Sequence, residues 1–199
     1  GEGTLFEGGP GAMGPVLQQQ FASLSMEGDE VKRVVLTHAH PDHVMALPLV
    51  RELFPEVQVL AASQAAKRLA AETAGAFFGK VDDMLSGSLA KAGVIEKAEP
   101  RPTQAERPFA VDRLLADGDT ISAGTDTVFT VLETPGHSDC SLSFWEPNRR
   151  LLIISDATGY FFAHEGVWWP NYFTDYAAYV SSIERLAEFD TEVLCLSHN

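Results

Sequence analysis

The chain has 199 residues, of which 45% are hydrophobic and 21% charged, so it can bury the core of one globular domain and is not disordered in composition. Its formal net charge of −14 disfavours nucleic acid, which needs a basic footprint, and equally disfavours docking on an anionic membrane surface. No apolar run is long enough to span a bilayer and no secretory leader is seen, so the expected location is cytoplasmic.

The first half of the chain alternates strand and helix patterns, which predicts an α/β layered fold. An extended connection is expected at 96–108, where Pro100, Pro102 and Pro108 interrupt any regular element. The predicted strands are 4–7, 31–36 and 57–61, and the predicted helices are 13–24, 44–54, 63–73 with Ser63 as its N-cap, and 77–92.

The second half is predicted to be rich in short strands and turns. Its segment 161–173 is aromatic and interrupted by glycine and proline, so an irregular conformation is expected there. Thr174 is predicted to cap a helix that runs to Phe189. Because no repeat or domain boundary is seen, residues 1–199 are expected to form one domain. The predicted strands of this half are 113–115, 120–121, 127–133, 141–145, 151–155 and 192–196.

A dense cluster of metal-type ligands lies between the second predicted strand and the helix that follows it. Residues 37–43 read T-H-A-H-P-D-H, which places His38, His40, Asp42 and His43 at a strand-to-helix turn. Imidazole and carboxylate are ligands that zinc, iron and manganese take. Burying these groups side by side is costly unless a cation holds them. The cluster therefore predicts metal binding.

Three further ligand-type residues each follow an apolar strand directly. His137 lies in T-P-G-H-S-D, Asp156 in I-I-S-D-A-T-G and His198 in L-C-L-S-H-N. The same placement at three strand exits predicts that these residues complete the site. Together with the first cluster, the pattern uses five of the six histidines in the chain.

The combined pattern T-H-A-H-P-D-H, T-P-G-H-S, S-D-A and S-H resembles the metallo-β-lactamase superfamily over almost the whole chain. The resemblance implies an α/β fold, a metallo-β-lactamase-like αβ/βα sandwich with the metal site at the edge of two facing mixed sheets. It also implies two divalent metal ions, zinc or iron. By position, His38, His40 and His137 are implied to bind one ion, Asp42, His43 and His198 the other, and Asp156 to bridge them.

A narrower likeness is carried by F-E-G-G, V-Q-V-L-A-A-S, G-H-S-D, R-R-L-L-I-I-S-D-A-T-G-Y and E-G-V-W-W-P. These stretches are similar to the quinolone-signal-response thioesterases of the superfamily, which act on 2-aminobenzoylacetyl-coenzyme A. The hydroxyacylglutathione hydrolases share the same ligand pattern. Both likenesses imply a thioesterase.

The chain departs from the superfamily pattern at Glu7 and at its two ends. Glu7 stands where many members have an aspartate, and we expect it to accept a hydrogen bond from a ligand histidine. Asp139, two residues after His137, is expected to orient that histidine or to cap its turn. Many members also have strands before this point and segments after the last histidine. We expect either that these strands and segments lie outside the given sequence or that the protein does not have them.

The implied chemistry is hydrolysis. Two cations about 3.5–4 Å apart acidify a bridging water toward a pKa of ~7, and the resulting hydroxide attacks a carbonyl or phosphoryl centre. Asp42 is expected to hold a metal ion and to shuttle a proton to the leaving group. His40, where diiron flavoproteins of the superfamily have a carboxylate, favours hydrolysis over reduction of O₂ or NO. Asp156 argues against a β-lactamase, since those enzymes generally lack the bridging carboxylate.

Seven aromatic residues occupy the fourteen positions 160–173, soon after Asp156. Core packing is one interpretation, and an aromatic wall for an apolar or aromatic acyl group is the other. Trp168 and Trp169 are adjacent, so at most one of them is expected to face the site. The expected substrate contacts are Tyr160, Phe161, Trp168 and Tyr172.

The leading hypothesis is a dinuclear metal-dependent hydrolase of a thioester or a related acyl ester. One alternative is a phosphodiesterase that uses the same site, although the acidic charge disfavours RNA as its substrate. Another is a regulatory or interaction protein that retains the metal site. The expected partner is a small-molecule acyl substrate; neither nucleic acid nor a membrane is expected, and a homodimer is left open.

Overall fold

The computed structural model describes residues 3–26, 31–96 and 109–198. Its contacts divide the chain into two compact units. The first unit consists of Gly1–Ala61 and Ala65–Arg113, and the second of Ala62–Gln64 and Leu114–Asn199. The predicted extended connection at 96–108 lies, apart from Glu96, outside the described residues.

The first unit is built from parallel strands alternating with helices. A four-stranded sheet has the order β1-β2-β3-β4, and β2 pairs in parallel with both β1 and β3. A 3₁₀ turn at Gly11–Met13 precedes the first helix. The strands are β1 (Gly3–Phe6), β2 (Val31–Val35), β3 (Gln58–Ala62) and β4 (Arg113–Leu115), and the helices are α1 (Gly14–Ser23), α2 (Pro41–Val44), α3 (Leu47–Leu53), α4 (Ser63–Leu69) and α5 (Ala74–Lys91).

The core of the first unit lies along β2 and β3. Val34 pairs with Val59, and Val35 pairs with Leu60, and all four side chains are fully buried. Parallel strands that are covered on both faces read as continuous apolar runs rather than as an alternation. This explains why V-V-L and V-L-A-A predict strands although neither has a period of two.

The second unit is a five-stranded sheet with the order β11-β8-β7-β6-β5 and a separate two-stranded ribbon. All its neighbouring strands are antiparallel except β11, which runs parallel to β8. One helix, α6, packs on the sheet through Leu186, which joins Leu132, Leu152 and Ile154 in a buried cluster. The elements are β5 (Thr120–Ser122), β6 (Val128–Glu133), β7 (Leu142–Glu146), β8 (Leu151–Ser155), β9 (Tyr160–Phe162), β10 (Val167–Trp169), α6 (Tyr176–Leu186) and β11 (Val193–Leu196).

The predicted helix at 44–54 is wrong in its extent. The structure has two helices there, and Asp42 and His43 lie inside α2 rather than in a turn before a helix. Pro48 is the physical reason, since it has no N–H to donate to the carbonyl of Val44 and so cannot continue α2. It is instead accommodated in the first turn of α3.

Two other predictions of local structure are also wrong. The segment 161–173 is not irregular throughout, because β9 and β10 form an antiparallel ribbon whose turn contains Gly166 at φ 65°. The cap of α6 is Asp175, which accepts a hydrogen bond from the N–H of Ala178 at 2.8 Å. Thr174 instead donates its hydroxyl to the carbonyl of Gly136.

Within residues 3–26, 31–96 and 109–198, no helix combines the length and the hydropathy that crossing a membrane requires.

An ion pair fastens α6 to the sheet of the second unit. The Arg185 guanidinium donates to both carboxylate oxygens of Asp117, at 2.6 and 3.0 Å, and to the carbonyl of Glu133 at 3.1 Å. The hydrogen bond from Arg185 is the main cause that lowers the pKa of Asp117 below its ordinary value. The same pairing raises the pKa of Arg185. The folded state is therefore stabilised by the ionised form of Asp117.

We expect Asp117→Asn to lower the free energy of unfolding near neutral pH by about 0.5–1 kcal/mol, the range for a partly exposed ion pair. Because the pKa of Asp117 is lowered in the folded state, this difference is present above the ordinary aspartate pKa and disappears as the pH falls through the lowered value. Urea unfolding at a series of pH values measures it. Asp126→Asn, at an exposed position of the same unit, is the control and should show no such trend.

Candidate metal centre

The first unit brings three histidine rings into contact at the end of β2. His38 and His43 are buried and His40 is half-buried. The ring centroid of His38 lies 4.0 Å from that of His43 and 4.6 Å from that of His40. The Nε2 atom of His38 is 3.0 Å from Nδ1 of His40. Two ring nitrogens this close repel each other through their lone pairs unless a proton or a cation lies between them, so the donor set fits a metal ion.

The loop after β1 positions this cluster from one side. The N–H of Gly8 donates to the carbonyl of His43 at 2.7 Å, and the N–H of Ala46 donates to the carbonyl of Gly9 at 2.8 Å. A Cβ on Gly8 would lie 2.9 Å from the His43 carbonyl oxygen, so only glycine allows this approach. The two glycines of F-E-G-G therefore hold α2 and its ligands against the end of β1.

The carboxylate of Glu7 contacts two neighbours of the cluster. Its Oε1 accepts the hydroxyl of Thr37 at 2.5 Å, and its Oε2 lies 3.0 Å from Nδ1 of His43. Since the Thr37 hydroxyl proton goes to Glu7, the Thr37 oxygen is left to accept from Nδ1 of His38, 3.0 Å away. Both histidines then keep their proton on Nδ1 and present Nε2 as the ligand atom. The ligand atoms of Glu7, His38 and His43 lie within 4.8 Å of one another.

The second unit brings its three predicted ligands together. Because β8 and β11 are parallel, Asp156 and His198 leave the same edge of the sheet. Asp156 Oδ2 lies 3.3 Å from Nε2 of His137 and 3.6 Å from Nε2 of His198. The hydroxyls of Ser155 and Ser197, each just before a ligand, share a hydrogen bond of 2.7 Å. One oxygen of a buried carboxylate thus lies close to two imidazole nitrogens.

His137 is oriented by a backbone carbonyl. Its Nδ1 donates to the carbonyl of Asn171 at 2.9 Å, which turns Nε2 toward Asp156. The N–H of Asn171 in turn lies 3.3 Å from the hydroxyl of Tyr179 on α6. Burial raises the pKa of Tyr179, so this hydroxyl stays protonated. Sequence reasoning missed Asn171, because a contact made by a carbonyl carries no side-chain signal.

The loop before His137 is packed tightly against α6. Gly136 has φ 131°, and a Cβ there would lie 2.3 Å from the Cα of Tyr179. The Gly136 carbonyl accepts from the N–H of Thr174 at 3.1 Å. The glycine in T-P-G-H-S is therefore required by the close approach of α6, and its contacts position the backbone of the neighbouring His137.

The predicted substrate residues take different positions. Tyr160 lies edge-on to His198 with a centroid distance of 5.3 Å, whereas Phe161 and Trp168 pack on each other at 5.0 Å. Tyr172 packs against two tyrosines of α6. Phe173 was not among the predicted contacts, yet its ring lies 5.4 Å from that of His137. Each role toward a substrate stays a prediction.

The seven predicted ligands divide between the two units, with four in the first and three in the second. Asp42 is half-buried, and its Oδ2 lies 3.4 Å from Nε2 of His43. Asp139 is exposed in the turn after His137, and its orienting role stays a prediction. In both units the candidate donors are nitrogen and carboxylate oxygen, which suits zinc and iron alike.

Comparison with known proteins now decides the family. The sequence model described as "Metallo-beta-lactamase superfamily" matches residues 1–198. The chain belongs to this superfamily. An uncharacterized protein of Bacillus subtilis (strain 168) is 26% identical over 148 residues, which are 74% of this chain and 53% of that protein. A protein of Streptococcus pyogenes serotype M6, described as a probable metallo-hydrolase, is 30% identical over 62% of this chain and 45% of its own length.

Solved structures confirm the predicted fold class of this superfamily member. The B3 metallo-beta-lactamase BLEG-1 has a TM-score of 0.64 at 22% identity, covering 98% of this chain and 80% of that one. A superfamily protein from the archaeon Sulfolobus tokodaii has a TM-score of 0.62 at 23% identity, covering 85% and 62%. The chain spans about half the length of the curated relatives it matches. These findings support a metal-binding hydrolase of the superfamily, and they identify no substrate.

We expect Glu7→Gln to weaken metal binding roughly 10–100-fold, the usual cost of removing a group that orients a ligand histidine. The neutral amide no longer offers His43 a charged acceptor. Competition with a chromogenic chelator measures the affinity. Glu56→Gln changes the same charge at an exposed position of the same unit and should leave the affinity unchanged. Equal affinities for the Glu7 variant and the parent would contradict the orienting role.

We expect Gly136→Ala to lower the free energy of unfolding by about 3–5 kcal/mol, because its Cβ meets the backbone of α6. Gly124→Ala is the matched control, since Gly124 also has a positive φ, of 93°, but has no atom within 4 Å of the added Cβ. Its loss should be about 1–2 kcal/mol, from backbone strain alone. Urea unfolding compares the two, and equal losses would show that the close approach is unimportant.

Proposed function

We propose that this superfamily member is a dinuclear metal-dependent hydrolase of thioesters or related acyl esters. The observation that carries the proposal is the single oxygen of Asp156 that lies within 3.6 Å of the ring nitrogens of both His137 and His198. A buried carboxylate in that position suits a ligand shared by two ions. In the proposed site one ion is held by His38, His40 and His137, the other by Asp42, His43 and His198, and both by Asp156.

The residues divide the work in a way that suits acyl transfer to water. When bound, the two ions supply a Lewis acid for the acyl carbonyl and lower the pKa of the attacking water. Asp42 is half-buried and can pass a proton between that water and the leaving group. Glu7 and the carbonyl of Asn171 keep His43 and His137 in the tautomer that ligates through Nε2.

A thioester is the substrate class that this arrangement serves best. A thiolate leaves readily, so the leaving group needs little help from a general acid. Asp42 is the only general acid that we assign. The local likeness to the quinolone-signal-response thioesterases and to the hydroxyacylglutathione hydrolases supports the same class. The solved B3 metallo-beta-lactamases are similar in fold only, and the proposed bridging role of Asp156 argues against β-lactams as substrates.

The metal-loaded protein should hydrolyse short acyl thioesters faster than phosphodiesters or β-lactams. Hydrolysis of phosphodiesters alone would favour the phosphodiesterase hypothesis and contradict ours. Elemental analysis of the same sample should find two metal ions per chain, and fewer than two under metal-replete conditions would rule out a dinuclear site.

Asp156→Ala should lower kcat/KM for the best thioester by roughly 10³-fold or more and remove at least one ion per chain, because the shared ligand is lost. Asp190→Ala, at an exposed position of the same unit, is the control and should keep both ions. A biological effect that survives Asp156→Ala would instead favour a regulatory or interaction role.

A further inference from the structure

The ribbon of β9 and β10 presents two different aromatic faces. Tyr160 lies opposite Trp169, and Phe161 lies opposite Trp168. Directly opposed residues of an antiparallel pair point to the same face, and successive residues point to opposite faces. Tyr160 and Trp169 therefore share one face, and Phe161 and Trp168 share the other. We call these the Tyr160 face and the Phe161 face.

The Tyr160 face is the one that lies toward the predicted ligands of this unit. The Tyr160 ring meets the His198 ring edge-on, with an interplanar angle of 78°. On the Phe161 face the rings of Phe161 and Trp168 pack against each other, at a centroid distance of 5.0 Å. Trp169, on the face that includes the His198 contact, is 62% exposed, whereas Trp168 is 43% exposed. The more open indole is thus on the side of the proposed metal site.

A second exposed ring lies beside the other histidine of this unit. Phe173 meets the His137 ring edge-on at 5.4 Å, and its backbone N–H donates to the His137 carbonyl at 3.3 Å. The Phe173 side chain is 70% exposed although His137 is only 1% exposed. The backbone hydrogen bond keeps Phe173 next to His137, while the exposed Phe173 ring is accessible to a substrate.

Large exposed aromatic side chains beside buried polar ligands mark a place where apolar surface is covered in use. Asp156 Oδ2 lies within 3.6 Å of Nε2 of both His137 and His198, and each of these histidines is contacted by one aromatic ring. Flat rings beside both histidines suit a flat aromatic or apolar acyl group, which they can contact by stacking or edge-to-face packing.

We propose that Trp169 and Phe173, together with Tyr160, determine specificity for thioesters with an aromatic or apolar acyl group, and that the Phe161–Trp168 pair supports the ribbon. This inference rests on the proposed function and names the acyl class that the same site would take. It assigns the substrate contact to Trp169 in place of Trp168, because the register of the ribbon places them on opposite faces.

The kinetic test compares variants on a pair of thioesters, one with a benzoyl and one with an acetyl group. We expect Trp169→Ala and Phe173→Ala each to lower the benzoyl-to-acetyl ratio of kcat/KM by about fivefold or more. Trp168→Phe, at the neighbouring position of the same strand, keeps a ring against Phe161; it is the matched control and should keep the parent ratio within about twofold. A larger drop in the Trp168 variant than in the Trp169 variant would overturn the assignment.

A binding test separates this inference from the proposed reaction. Benzoate is titrated into the metal-loaded protein while tryptophan fluorescence is recorded, using Trp168→Phe and Trp169→Phe, which keep a ring at each position. Quenching that persists in the Trp168 variant and is lost in the Trp169 variant supports the Tyr160 face, even if the protein cleaves no thioester. Quenching lost in the Trp168 variant, or absent from the parent, would overturn the inference.

Discussion

The carboxylate of Glu7 is the constraint on which the histidine cluster depends. One oxygen accepts from Thr37 and the other lies 3.0 Å from Nδ1 of His43, so one side chain contacts both. Glu7 adopts φ 78°, a left-handed conformation that costs a non-glycine residue free energy. Its N–H donates to the carbonyl of Val35, which ties it to the end of β2. The strain is therefore offset by hydrogen bonds that join two strand ends and a ligand helix.

The second unit solves the same problem with a different acceptor. His137 donates its Nδ1–H to the carbonyl of Asn171 rather than to a carboxylate. In both His43 and His137, Nδ1 lies against a protein oxygen, which leaves Nε2 for the proposed metal site. The carbonyl carries less negative charge than the Glu7 carboxylate, so the two histidines are oriented by acceptors of different charge.

Local patterns predicted the sheet well and its connections less well. The strands 113–115 and 151–155 have the predicted bounds, because short apolar runs bounded by turns are encoded in neighbouring residues. The ribbon of β9 and β10 was missed, since five of its six residues are aromatic and they show no alternation of polar and apolar side chains. The helix predicted at 44–54 failed at Pro48, where loss of one N–H outweighs apolar periodicity.

The sequence by itself determined which histidines and carboxylates follow the ends of β2, β6, β8 and β11, because residue type and strand ends are local properties. It also determined membership of the superfamily through motifs that span the chain. Only the tertiary structure decided which ring nitrogen each histidine presents and which aromatic residues lie beside His137 and His198. Those choices depend on Glu7, Asn171 and the register of the ribbon, and such contacts between distant residues have no period or spacing that a sequence can show.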